Sequence, residues 1–95
     1  MEKKKRGFAV ADRILRSGTS IGANVSEAVE GQTKADFTAK MSIALKEACE
    51  TEYWLELLYE TEYINKEEFA SLQYDCKELV KLLVSIIRTS KENHN

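Results

Sequence analysis

The residues in this sequence best suited to chemistry are two cysteines, Cys49 and Cys76, a single histidine, His94, and the glutamates Glu47, Glu50, Glu52 and Glu56. Two thiols supply neither a disulfide framework nor a zinc site, which needs further ligands at close spacing. They read as reduced thiols. A di-metal carboxylate centre in a helical bundle draws on Glu-x-x-His pairs, because imidazole completes each coordination sphere. Here the one histidine stands next to the end of the chain, and the four glutamates fall on different faces of a helix. Both cysteines and every serine lack an internal histidine to serve as base. Gly18-Thr19-Ser20-Ile21-Gly22 is glycine-flanked, but a phosphate loop requires a lysine and a preceding strand, and this segment has neither. The expectation is a protein that is not an enzyme, with no catalytic residue, cofactor or metal, and with the glutamate run as a solvated face.

Charge offers a second kind of chemistry. Residues 1–46 carry nine Lys/Arg against five Asp/Glu, whereas residues 47–95 carry five against eleven, for a net charge of −2. Lys3, Lys4, Lys5 and Arg6 form a basic run, and Arg13 and Arg16 continue it within one helical turn of each other. Phosphate binding depends on clustered cations rather than on net charge, so these six are the candidate nucleic-acid contacts. Between Glu47 and Glu68 eight carboxylates face one cation, Lys66, and would repel phosphates. The competing reading of the basic run is a solvated start, or one that pairs with the acidic back of a neighbouring subunit.

These residues must be positioned by helices. The chain has 95 residues, no proline and four glycines, with 43% hydrophobic and 32% charged residues, which suits one domain over residues 1–95 built of long helices. The first helix is expected at about 8–29, with a stripe of Ala11, Ile14, Leu15, Gly18, Ile21, Gly22, Val25, Ala28 and Val29 facing a core. Gly18, Gly22 and Ser26, four residues apart, mark an edge where another backbone can pack tightly.

A second helix is expected at about 34–61. Thr33 is its N-cap and Asp36 stands at the acid position of a capping box. Phe37, Met41, Ala44, Leu45, Ala48, Leu55, Leu58 and Tyr59 form its main stripe, with Thr51 and Glu52 at the stripe's edge. A further apolar strip of Ala39, Ile43, Trp54 and Leu57, with Tyr53 beside it, exceeds what one neighbour can cover. Ile43, Tyr53, Trp54 and Leu57 are the candidate oligomer interface, the competing reading being that they contact an additional helix of a four-helix monomer.

The third helix, at about 65–89, opens on Asn65 with acids in its first turn. It buries Phe69, Leu72, Cys76, Leu79, Val80, Leu83, Ile86 and Ile87. The short link at Glu62-Tyr63-Ile64 makes helices two and three an antiparallel hairpin. The fold class is all-α, an antiparallel up-and-down helical bundle. No secretory signal is visible and no stretch nears the ~20 apolar residues of a membrane span, so a cytoplasmic protein with no membrane partner is expected.

The stretch Ile14-Leu15-Arg16-Ser17-Gly18-Thr19-Ser20-Ile21-Gly22-Ala23-Asn24-Val25-Ser26-Glu27-Ala28 reads as a family signature. So do Lys34-Ala35-Asp36-Phe37, Met41-Ser42-Ile43-Ala44-Leu45-Lys46-Glu47-Ala48 and Glu50-Thr51-Glu52-Tyr53-Trp54-Leu55. Together, over roughly residues 10–87, they resemble the bacterial four-helix-bundle proteins encoded by intervening sequences of large-subunit ribosomal RNA genes. The resemblance implies an up-and-down four-helix bundle and assembly into a pentameric ring. The family also includes accessory proteins of diversity-generating retroelements, which bind nucleic acid and a reverse transcriptase.

Members usually have an additional long helix at the N-terminus, and this chain starts at the loop before the second family helix. Hence either the chain is an N-terminal truncation, or another chain fills the groove left open. Ile14, Ile21 and Val25 are candidates to line that groove. The functional expectation is a homo-oligomeric helical interaction protein. The alternative is a nucleic-acid-binding accessory subunit.

Overall fold

The computed structural model describes residues 2–31 and 33–92, with side chains from residue 9 onward. Three helices run through them: α1 (Glu2–Val29), α2 (Lys34–Glu60) and α3 (Lys66–Glu92). α1 begins six residues before the start at residue 8 that its apolar pattern suggests. Glu, Lys and Arg are good helix formers, and a lone Gly7 costs only ~1 kcal/mol, so nothing there stops the helix.

Both turns are fixed by local hydrogen bonds that the sequence announces. Thr33 caps α2, its Oγ1 accepting from the Asp36 amide at 3.0 Å. Asn65 and Glu68 form a reciprocal box: the Glu68 amide donates to Asn65 Oδ1 at 2.7 Å, and the Asn65 amide to Glu68 Oε1 at 2.9 Å. Together they satisfy donors that a helix start leaves unpaired. α2 is closed after its C-cap Thr61, where the Glu62 amide returns to the Tyr59 carbonyl and the Tyr63 amide to that of Leu58. This is a Schellman closure with Glu62 at φ 62°, the left-handed position that usually takes glycine.

The helices lie side by side, with Cα extents of 55 × 20 × 13 Å. α2 is in the middle and runs antiparallel to both neighbours. Lys40 meets Glu27 at one end of the α1–α2 pair, and Arg13 meets Trp54 towards the other. Across α2–α3, Thr38 meets Ser90, and the Cys76 thiol donates to the Ala48 carbonyl at 3.3 Å. Among the described residues, no Cα of α1 comes within 8 Å of a Cα of α3.

The core is the strip over α2 on which both outer helices converge. Ala28, Met41, Ala44, Ala48, Leu83 and Ile87 are its buried centre, flanked by Ile21, Val25, Phe37, Leu45, Leu79, Val80 and Ile86. The two fully covered alanines, Ala44 and Ala48, let the neighbouring helices sit close to α2. Leu55 and Leu58 extend the buried line. Glu52 sits at the stripe's edge as the pattern suggests, and pairs with Lys77 at 3.4 Å.

α1 departs from the expected stripe. Among its described side chains Val10, Ser17 and Ala28 are buried, whereas Leu15 and Val29 are each 71% exposed and Gly18 and Gly22 face solvent. Ile14, Ile21 and Val25 lie between these extremes. The apolar arc of α1 is wider than the seam it makes, so only one margin of it meets α2. A similar surplus appears on α3, where Leu72 is 44% and Leu82 56% exposed.

Candidate interaction surfaces

Among the described residues, no three of His, Cys, Asp and Glu group closely enough to hold a metal ion. No helix there is long and apolar enough to cross a membrane. His94 lies outside the described residues. Cys49 is exposed and Cys76 buried, and burial, with smaller contributions from Glu52 and Cys49, pushes the Cys76 thiol above its ordinary 9.0. Three surfaces carry the other candidate residues.

The first surface is the outer edge of α1. A Cβ built on Gly18 or Gly22 would meet nothing within 4 Å, so the close backbone approach expected there is not made within this chain. Leu15 and Val29 flank the glycines, and Leu15, Thr19 and Ala23 line a shallow hollow beside them. Leu72 and Leu82 are exposed on α3, the helix that α1 does not reach.

The second surface is the strip on α2. Ile43 and Tyr53 are exposed, and Trp54 and Leu57 are half-buried. Trp54 packs edge-on against Tyr53, ring centroids 5.0 Å apart, and carries the Arg13 guanidinium 5.1 Å above its ring centre. Trp54 is thus partly engaged by α1, which the sequence strip did not reveal.

The third surface is a groove of about 580 Å³ between α1 and α2, lined by Asp12, Arg13, Arg16, Ser17, Ser20, Glu47, Glu50 and Trp54, with Ala9 at one end. Antiparallel packing brings Arg13 and Arg16 of α1 to the stretch of α2 that carries Glu47 and Glu50. Arg16 pairs with Asp12 through Nε at 3.0 Å. Two of the six candidate nucleic-acid contacts, Arg13 and Arg16, therefore share a groove with Glu47 and Glu50. The side chains of the other four, Lys3, Lys4, Lys5 and Arg6, lie outside the described residues. Sequence reasoning placed these arginines and glutamates in opposing halves. Only the long-range pairing of α1 with α2 sets them face to face.

Comparison with curated proteins gives no significant match. Among solved structures, the chain is similar to a Bacteroides thetaiotaomicron protein of unknown function from the S23 ribosomal protein family. The two share 59% identity with a TM-score of 0.81, over 83% of this chain and 70% of that one. The family described as 23S rRNA-intervening sequence protein matches residues 1–85. With nearly the whole chain matched and the same helical architecture in a solved relative, this protein belongs to the 23S rRNA-intervening sequence protein family.

Proposed function

We propose that this chain is a non-enzymatic, homo-oligomeric interaction protein of the cytoplasm, working through apolar helix faces that it does not cover itself. The observation that carries this reading is the open edge of α1, where Leu15 and Val29 stand wet on either side of two uncovered glycines. Fully covering a large aliphatic side chain is worth ~1.5–3 kcal/mol, and a domain's whole stability is only ~5–15 kcal/mol. Leaving Leu15, Val29, Leu72 and Leu82 exposed forgoes a sizeable part of that range. The strip of Ile43, Tyr53, Trp54 and Leu57 adds aromatic anchors of the kind that dominate interface energies. A pentameric ring is the assembly that the resemblance implies.

Size-exclusion chromatography with light scattering tests the proposal, since each subunit contributes 10.8 kDa. A sharply melting monomer at all concentrations would defeat it. A fivefold mass is the expected result.

The second reading, an accessory subunit that binds nucleic acid, is favoured by Arg13 and Arg16 lying together on one edge of α1. With six cations per chain, binding to B-DNA should weaken with salt at a log–log slope of about −5 per fully engaged chain. Titration with labelled RNA and DNA at low and moderate salt checks this. Binding untouched by neutralising Lys3, Lys4, Lys5 and Arg6 removes that basic run from the interface.

A further inference from the structure

We infer that the groove between α1 and α2 binds a nucleoside monophosphate unit, either free or at the 5′ end of a strand. This goes beyond the oligomer reading and does not rest on it. Arg13, Arg16, Ser17 and Ser20 stand at i, i+3, i+4 and i+7, so they share one edge of α1, and all four line the groove.

Three of them can meet an anion. Arg16 is held by Asp12 through Nε, which leaves the two Nη groups of its fork for a phosphate. Ser20 Oγ already accepts from Asn24 Nδ2 at 3.3 Å, so its own hydrogen can be donated. Ser17 is only 6% exposed yet lines the groove, giving a hydroxyl on its floor.

The rest of the groove suits the remainder of a nucleotide. Arg13 lies over Trp54, and both line the groove, where the guanidinium and the indole offer flat groups for a base. Glu47 and Glu50, on the opposite wall, are acceptors for ribose hydroxyls or an exocyclic amine. With Asp12 they set three carboxylates against two arginines in the lining, so each phosphate beyond the one at Arg16 adds repulsion and the groove favours a monophosphate over a triphosphate. Its volume of about 580 Å³ falls in the range of ~300–1,000 Å³ usual for small-molecule sites.

Trp54 is the only tryptophan, so its fluorescence reports directly on the groove. Purified protein is titrated with adenosine 5′-monophosphate, adenosine, inorganic phosphate and adenosine triphosphate, and with a short single strand with and without a 5′ phosphate. The expected result is saturable quenching by the monophosphate, about tenfold weaker for adenosine, which lacks the charged hydrogen bonds, and about tenfold weaker for phosphate, which lacks the base. Arg16→Gln should weaken the monophosphate response by about tenfold while leaving adenosine unchanged. Arg16→Lys, which keeps charge without the fork, should recover part of it. Ile43→Ala, outside the groove, should keep the full response whatever it does to subunit number.

A strand that responds only with its 5′ phosphate, more tightly than the free nucleotide, identifies a strand end as the source. Equal affinities identify the free nucleotide. Circular dichroism on each variant separates lost binding from lost folding. Absence of saturation with the monophosphate overturns the inference. So does an equal response to phosphate alone, or an Arg16→Gln protein that folds and binds as before.

Discussion

Replacing Gly18 and Gly22 by alanine separates what α1 needs in the lone chain from what it needs in an assembly. Neither glycine has positive φ, and the added methyl would meet nothing within 4 Å at either position. The substitution therefore gains the full difference in helix propensity, about 0.8–1 kcal/mol each and close to ~2 kcal/mol for the pair. For a domain of this size that corresponds to a rise in melting temperature of about 7–15 °C. The assay is thermal circular dichroism at the lowest workable concentration, followed by light scattering across a concentration series. If another helix packs closely on this edge, the same two methyls obstruct it, so the subunit count should fall while the dilute chain gains stability. A lower melting temperature in the dilute chain would refute the open-surface geometry. Unchanged assembly in the stabilised variant would remove the glycine edge from the interface.

Other perturbations probe the core, the thiols and the aromatic strip. Leu83 is 2% exposed within the central cluster, so Leu83→Ala should cost about 2–5 kcal/mol in denaturant unfolding, with little change in far-ultraviolet signal under native conditions. Cys49 should react rapidly with a thiol reagent and Cys76 only as the fold opens, read as two phases of reagent release. Because burial raises the Cys76 thiol above 9.0, the unfolded chain loses that proton first. The stabilisation from Cys76 is therefore complete below pH 9.0 and declines as pH climbs through the folded value, and Cys76→Ala should flatten that part of the unfolding profile. Trp54→Ala should lower the subunit count if the α2 strip is an interface. Loss of helicity with unchanged assembly would assign Trp54 to the α1–α2 seam beside Arg13 instead.

Much of the architecture follows from local rules written into the chain. Apolar spacing and the absence of proline make three long helices, and Thr33 and Asn65 mark where two of them begin, because each side chain satisfies amides of its own first turn. The double striping of α2 announces a helix with more apolar surface than one neighbour covers, and α2 is the helix packed on both sides. The absence of an internal histidine, and the charge imbalance between halves, need no structure to be seen.

Tertiary packing decided the rest. The arc from Ala11 to Val29 on α1 is broad, and small residues fit either margin of it. Periodicity therefore could not say that Val10 and Ser17 would be buried while Leu15, Gly18 and Gly22 faced outward. That choice depends on the angle at which α1 meets the alanine-lined face of α2, a property of two surfaces together. The meeting of Arg13 with Trp54, and of Arg13 and Arg16 with Glu47 and Glu50 in one groove, has the same origin. Residues some forty positions apart are brought together by antiparallel packing. No window along the sequence contains that contact, because it is set by which helix faces exclude water against each other.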